Sequence, residues 1–195
     1  RGWSYPGNPQ FTLAESWLNR PIPSKDRSKE LVLRYLAAFG PASITDMQAW
    51  SGFGQLKDRI DDMRSDLRVY RDENRRELFD LPDRAIEDPD RPAPERFLPE
   101  FDNVLLSYSN RTRIIAGEHR RHVFVPVLRV RPTFLVDGFV AGTWRFEKAK
   151  GMASVTIEPF GALSINSRQA LLEEGEQLVR FAGHDSKNYE VRFGS

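Results

Sequence analysis

The residues of this chain best suited to binding a ligand are arginines in two short stretches. Long guanidinium side chains grouped on turns can contact the phosphates of a nucleic acid, and such contacts position a protein without reading base sequence. We therefore predict that these residues contact duplex DNA. Solvated arginine-rich turns are the alternative interpretation. The seven arginines are Arg71, Arg75, Arg76, Arg111, Arg113, Arg120 and Arg121.

The second stretch also contains two histidines, His119 and His122, at a spacing that occurs in metal sites. Arg120 and Arg121 stand between them and repel cations, and the chain has no cysteine. If this segment is a strand, residues three apart point to opposite faces of the sheet. We therefore predict no metal site, and we expect no cofactor.

No motif in the chain identifies an enzyme. A nucleophile elbow, a phosphate-binding Walker loop and a dinucleotide fingerprint are all missing from the sequence. The acidic residues Glu173, Glu174 and Glu176 fall on a predicted helix and are interpreted as its solvated face. The absence of cysteine excludes thiolate catalysis and disulfides, and it fits a reducing compartment.

Composition restricts how the chain could bind nucleic acid. Its 29 basic and 28 acidic side chains leave a net charge of only +1, so any such affinity must come from local patches. No apolar run approaches the roughly 20 residues that a membrane-spanning helix needs, and the chain opens on Arg1 without a secretory signal. We expect a cytoplasmic protein, a monomer, and a piece of a longer polypeptide.

Three helices are predicted between residues 26 and 84, and they would position the first arginine stretch. The first helix ends at Gly40-Pro41. Thr45 and Gln48 form a capping box that opens the second helix. The third helix covers about 56–63, where apolar residues recur at helical spacing.

A hairpin is predicted directly after these helices, from the apolar runs 67–70 and 77–81 around the polar tip 72–76. Three helices followed by a hairpin predict a winged helix-turn-helix, with the arginines at the tip of the wing. The wing is a better candidate for DNA contact than the third helix, because carboxylates on that helix would repel phosphate. These carboxylates are Asp58, Asp61 and Asp62.

The remainder of the chain is predicted to form an α+β unit, mostly antiparallel and partly closed like a barrel, with one packed helix. Asp137-Gly138 lies between two β-rich runs and predicts a tight hairpin turn. Alternation along the second run places Val140, Trp144 and Phe146 on one buried face. The helix is expected to have Asn166 or Ser167 as its N-cap and to end at Gly183, with Gly175 facing the hairpin.

These patterns predict a chain with two structured units. Residues 1–25 would be the end of a preceding domain with a linker, and residues 26–84 the winged helix. Residues 85–94, rich in proline and aspartate, would form the linker to the α+β unit at 95–195.

Several strings resemble the bacterial winged-helix DNA-binding domain family that includes the AlkZ/YcaQ-type DNA glycosylases. The resemblance covers nearly the whole chain and implies the C-terminal portion of such a protein. The strings are Leu33-Arg-Tyr-Leu-Ala-Ala-Phe-Gly-Pro-Ala-Ser43, Phe97-Leu-Pro-Glu-Phe-Asp-Asn-Val-Leu-Leu-Ser107 and Val136-Asp-Gly-Phe-Val-Ala-Gly-Thr-Trp144.

The resemblance implies a role in DNA repair, with two departures. The glycosylases carry a catalytic Gln-x-Gln or Gln-x-Asp near their N-terminus, and neither triplet occurs here. In addition, Leu106-Ser-Tyr-Ser-Asn-Arg111 stands where relatives are expected to have Leu-Ser-His-Ala-Asp-Arg. Two hypotheses follow: a duplex-binding part of a glycosylase-like protein, or a non-enzymatic DNA-binding or regulatory protein.

Overall fold

The computed structural model describes residues 10–22, 26–88, 90–126 and 129–194. No helix in these ranges is long and apolar enough to cross a membrane. The helices are α1 (Ala14–Leu18), α2 (Ser28–Phe39), α3 (Ile44–Ser51), α4 (Leu56–Asp61), α5 (Asn103–Leu106), α6 (Arg120–Val123) and α7 (Ile165–Ala182). The strands are β1 (Arg68–Arg71), β2 (Glu77–Asp80), β3 (Arg96–Leu98), β4 (Phe124–Val125), β5 (Arg129–Val130), β6 (Thr133–Val136), β7 (Phe139–Ala149), β8 (Met152–Pro159) and β9 (Asn188–Phe193).

Helices α2, α3 and α4 enclose the first apolar core, with Tyr35, Leu36 and Ile60 almost fully buried. Helix α3 begins two residues earlier than the sequence suggests. Its N-cap is Ser43, whose side chain accepts from the Asp46 backbone N–H while the Asp46 carboxylate accepts from the Ser43 N–H. The Thr45 capping box was therefore wrong, because Ser43 satisfies the first free N–H groups.

Strands β1 and β2 form the predicted hairpin, with Arg71 opposite Glu77. Its tip turns around Asp72, whose carboxylate accepts the backbone N–H groups of Asn74 and Arg76 at 2.9 and 2.8 Å. On the other side of β2, Ala42 pairs with Phe79. The base of the hairpin is therefore tied to the segment that leads into α3.

The second half of the chain is built on an open five-stranded sheet of order β3-β6-β7-β8-β9. The partly closed barrel was wrong, because β3 and β9 lie at opposite edges of this sheet. Helix α7 crosses between β8 and β9, and such a crossover allows that pair to be parallel. The same helix buries Leu171 and Val179 against one face of the sheet.

The hairpin turn at Asp137-Gly138 has the predicted conformation, since both residues have positive φ, 49° and 76°. The predicted common face of β7 was wrong. Ala141 is an extra residue in the pairing of β6 with β7, and such a bulge reverses which side chains face the core. Val140 therefore packs in a different cluster from Trp144 and Phe146.

Helix α7 differs from the prediction at its start and in what it faces. Ser164 is its N-cap, with the side chain accepting from the Ser167 N–H, and Gly183 is its C-cap as predicted. A Cβ on Gly175 would lie 2.8 Å from Val191 and 3.7 Å from Phe97. This glycine therefore lets α7 approach β9 and β3 rather than the β6–β7 hairpin.

Candidate nucleic-acid interface

The tip of the β1–β2 hairpin presents the first arginine stretch to solvent. Arg71 and Arg75 are exposed, and neither pairs with a carboxylate within the described ranges. Arg76 is different, because its Nε lies 2.7 Å from the Asp72 carboxylate that shapes the turn. Two of the three predicted arginines are thus available to a phosphate, and the third is held by its neighbour.

Two arginines at α4 are engaged by carboxylates, whereas Lys57 on the same helix forms no ion pair within the described ranges. Arg59 lies 2.9 Å from Asp26, and Arg64 makes a two-pronged pair with Glu77 at 2.6 and 3.1 Å. The carboxylates of Asp58 and Asp61 form no ion pair in the part of the chain that the structure describes. The exposed surface of α4 is therefore poorly suited to approach a polyanion.

The second arginine stretch folds as a helical turn. A 3₁₀ turn at Gly117–His119 continues into α6, so His119 and His122 share one face, with ring centroids 4.6 and 5.5 Å from that of Phe160. The expectation of a strand here was wrong. The argument against a metal site that depended on strand geometry therefore does not apply. No group of three potential ligands occurs among the described residues.

Arg113 joins the two halves of the chain. Its Nη1 donates to the backbone oxygen of Pro41 at 3.2 Å, and its guanidinium lies 4.3 Å from the centre of the Tyr108 ring. Pro41 precedes Ala42, which pairs with the base of the β1–β2 hairpin. Contacts to the backbone and to an aromatic ring leave the positive charge of Arg113 unneutralised.

Arg111 is more deeply placed than the sequence suggests. Its Nε donates to the Leu105 oxygen at 2.8 Å, and its guanidinium lies over the Phe124 ring at 4.6 Å. Arg120 reaches the same ring at 5.8 Å. Burial lowers the pKa of Arg111, and the charge of Arg120 lowers it further. The two cations therefore lie close together and are poorly compensated.

The remaining cation of this stretch, Arg121, is exposed, and its Nε lies 3.4 Å from His122 Nε2. Within the described ranges, none of the four arginines of residues 111–121 pairs with a carboxylate. Arg111 and Arg120 share the Phe124 ring, whereas Arg113 lies on the segment after α5 and Arg121 on α6. We call this group the α6 arginine cluster: Arg111, Arg113, Arg120 and Arg121.

A buried polar contact holds this cluster against the α2–α4 helices. Asp46 accepts from the Ser109 N–H at 2.9 Å and from its hydroxyl at 2.7 Å. The hydroxyl of Tyr35 donates to the Ser107 oxygen at 2.5 Å, and burial raises the pKa of this phenol, so it remains a donor. The Tyr108 hydroxyl donates to the Phe39 oxygen. Sequence reasoning missed this contact.

The residues on one side of this contact belong to the segment in which the sequence departs from the resembled family. Tyr108 and Ser109 stand where histidine and alanine were expected, and both make hydrogen bonds across the contact. The departure therefore has a structural use, which is to fasten residues 107–113 to the first core.

Replacement of Asp46 should loosen this contact. Burial raises the pKa of Asp46, but hydrogen bonds from Ser43 and Ser109 outweigh it, so the pKa lies below the ordinary aspartate value. The stabilisation is then present at neutral pH and lost as the pH falls through this lowered pKa, because the unfolded state takes up the proton first. We expect D46N to cost about 2–3 kcal/mol at pH 7, as hydrogen bonds to a charged group are lost.

Urea unfolding of both proteins between pH 7 and pH 3 measures this effect. The difference between wild type and D46N should shrink as the solution is acidified. D66N is the matched control, since Asp66 is an exposed carboxylate. If D46N lowers the free energy of unfolding by the same amount at every pH, Asp46 is not ionised in the folded protein.

Comparison with known proteins identifies the family of this chain. A protein-family model described as DNA glycosylase AlkZ-like matches residues 1–181. The chain belongs to this family. Among solved structures, the Streptomyces sahachiroi DNA glycosylase AlkZ matches with a TM-score of 0.69 and 25% identity. The match covers 86% of this chain and 45% of AlkZ. No curated protein shows significant sequence similarity to the chain.

Membership of the AlkZ-like family confirms the resemblance seen in the sequence. The matched residues include both arginine stretches and the Asp46–Ser109 contact. The chain spans about 45% of the length of the solved relative.

Proposed function

We propose that this AlkZ-like chain binds duplex DNA through the phosphate backbone, and that the groups for base excision belong to residues outside this sequence. The observation that carries the proposal is the α6 arginine cluster, whose four positive charges have no carboxylate partner within the described ranges. Uncompensated cations attract a polyanion, and counterions of the polyanion are released as its phosphates are neutralised.

The β1–β2 hairpin would supply the second set of contacts, as the wing of a winged helix formed by residues 26–84. Support comes from the order of elements, three helices followed by the hairpin, and from the exposed Arg71 and Arg75. Arg113 contacts Pro41 near the hairpin base, so both arginine sets are attached to one framework.

Backbone contact fits this surface better than base reading. In a winged helix the third helix usually enters the major groove, but here the arginines next to α4 are engaged by Asp26 and Glu77. We therefore expect duplex binding that is weak and nearly independent of sequence.

Salt dependence of binding tests this proposal. Each neutralised phosphate contributes about −0.9 to the slope of log K against log salt concentration. We expect roughly two to four of these arginines to neutralise a phosphate at one time, which gives a slope of about −2 to −4. R71A/R75N should weaken binding to all duplexes equally and flatten the slope by about 1–2. Asparagine suits position 75 because Arg75 has a positive φ of 62°.

R76A and R180A are the controls for this measurement by fluorescence anisotropy. Arg76 is engaged by Asp72, and Arg180 lies 3.1 Å from Glu176 on α7, so both substitutions should leave the slope nearly unchanged. Tight, sequence-selective binding that depends on Lys57 and Arg59 would overturn the preference for the hairpin over α4.

A further inference from the structure

A cleft opens beside the α6 arginine cluster, with a volume of about 480 Å³. Its walls are mainly apolar, and Phe101, Phe124 and Pro126 are among them. Arg111 lines the same cleft, with its guanidinium 4.6 Å from the centre of the Phe124 ring. The cleft thus combines flat aromatic surface with a positive charge at one side.

Phe101 is held in an unusual conformation at this cleft. Its φ is 58°, in the left-handed region that bulky residues rarely adopt, and 48% of its side chain is exposed. Strained residues of this kind persist where the surroundings hold them, and they are concentrated at binding sites. The preceding Glu100 lies 3.2 Å from Arg129 and thereby fixes the chain at this point.

The charge at the cleft indicates an anionic ligand. Arg111 and Arg120 both lie over the Phe124 ring, at 4.6 and 5.8 Å, and neither pairs with a carboxylate within the described ranges. Two neighbouring guanidinium groups of like charge are stabilised when an anion lies between them. A phosphate with an attached aromatic ring would match both features of the cleft.

We propose that this cleft holds one unstacked nucleotide of a DNA strand, with its base against Phe101 and its phosphate at Arg111, whose guanidinium covers Phe124 beside Arg120. Stacking on aromatic and guanidinium planes is the general way in which proteins hold unpaired bases. The inference rests on the proposed DNA binding and adds to it a preference for one form of DNA. DNA that contains an unpaired nucleotide should bind more tightly than fully paired DNA.

Among the described residues, no carboxylate or histidine lines the cleft. Glu100, which precedes Phe101 in the chain, is engaged by Arg129. Arginines at this site can bind a phosphate but cannot act as a general base, because they stay protonated. The cleft therefore differs from an excision pocket, and its role is to retain a nucleotide that has left the stack.

Binding of two duplexes of equal length tests the proposal, one fully paired and one with a single unpaired adenine. We expect the unpaired nucleotide to raise affinity about tenfold, within the range known for stacking one base on an aromatic side chain. F101A should reduce this ratio to near one, and because Phe101 is exposed the fold should survive. F124L, which keeps an apolar side chain in the core, should also lower the ratio.

R168A is the matched control, since Arg168 lies 3.8 Å from the centre of the Phe193 ring, far along the chain on α7. It should leave the ratio unchanged. Equal affinity of wild type for both duplexes would overturn the cleft proposal while leaving the proposed function intact. A titration with a four-nucleotide single strand and with free deoxyadenosine monophosphate separates a strand from a free nucleotide.

The single-strand titration also decides the case in which neither duplex binds. Binding of the single strand that F101A abolishes would support the cleft while refuting the proposed duplex binding. Absence of binding to every probe would overturn both. Binding of the free nucleotide alone would overturn the assignment to a DNA strand.

Discussion

Incubated with a duplex that carries an alkylated base, this chain will release no base above the uncatalysed background. Excision requires a pocket for the extruded base and polar groups that orient water and stabilise charge on the sugar. In the resembled glycosylases those groups come from Gln-x-Gln or Gln-x-Asp, and this sequence has neither. Without these acid–base and electrostatic contributions, base release should be at least ~10⁴-fold slower than in a glycosylase that has them.

Under the proposed function this chain is part of a longer protein, and the assay compares the chain with that full-length protein on the same oligonucleotide and at equal occupancy of DNA. Release by the full-length protein alone is the expected outcome. Turnover by the chain at a comparable rate would contradict this expectation and place an active site within residues 95–194. Inactivity of both would favour the alternative hypothesis of a non-enzymatic DNA-binding protein.

Replacement of Trp144 by alanine should cost about 3–5 kcal/mol of unfolding free energy, from lost transfer energy and the cavity left behind. The indole is half-buried, its ring centre lies 5.6 Å from that of Phe97, and its Nε1 donates to the Leu98 oxygen at 2.9 Å. One side chain of β7 thus fastens the edge strand β3, so the substitution should loosen the sheet at that edge.

Thermal unfolding measures this loss, and for a chain of this size it should lower the melting temperature by roughly 10 °C. W144F is the control, because it keeps an aromatic ring and loses mainly the hydrogen bond to Leu98, which contributes about 1 kcal/mol. Equal melting temperatures for wild type and W144A would show that the indole contributes nothing to the core.

Sequence patterns predicted those elements of the fold that depend on interactions between residues close together in the chain. Asp137-Gly138 adopts the expected turn because only two residues must tolerate positive φ. The pairing of 67–70 with 77–81 follows from apolar runs around a polar tip. The bulge at Ala141 escaped notice, because nothing in the alternation of β7 marks the extra residue.

The candidate site was predictable as a set of residues but not as an arrangement. Arginine is recognisable in sequence, so all seven candidates could be named in advance. Whether each is free depends on neighbours from elsewhere in the chain. Arg76 is engaged by Asp72, whereas Arg111 shares the Phe124 ring with Arg120. Arg111, which the sequence suggests to be a surface residue, lies over the Phe124 ring and lines a cleft.

By itself the sequence determined the family, the mixed α and β composition of the fold and the exclusion of cysteine chemistry, because motifs, hydrophobic period and residue type are local properties. Only the tertiary structure decided that the sheet is open, that Asp46 fastens Ser109 and that an aromatic cleft lies beside Arg111. These three features each join residues more than 10 positions apart, and the free energy of such contacts depends on packing that no local pattern records.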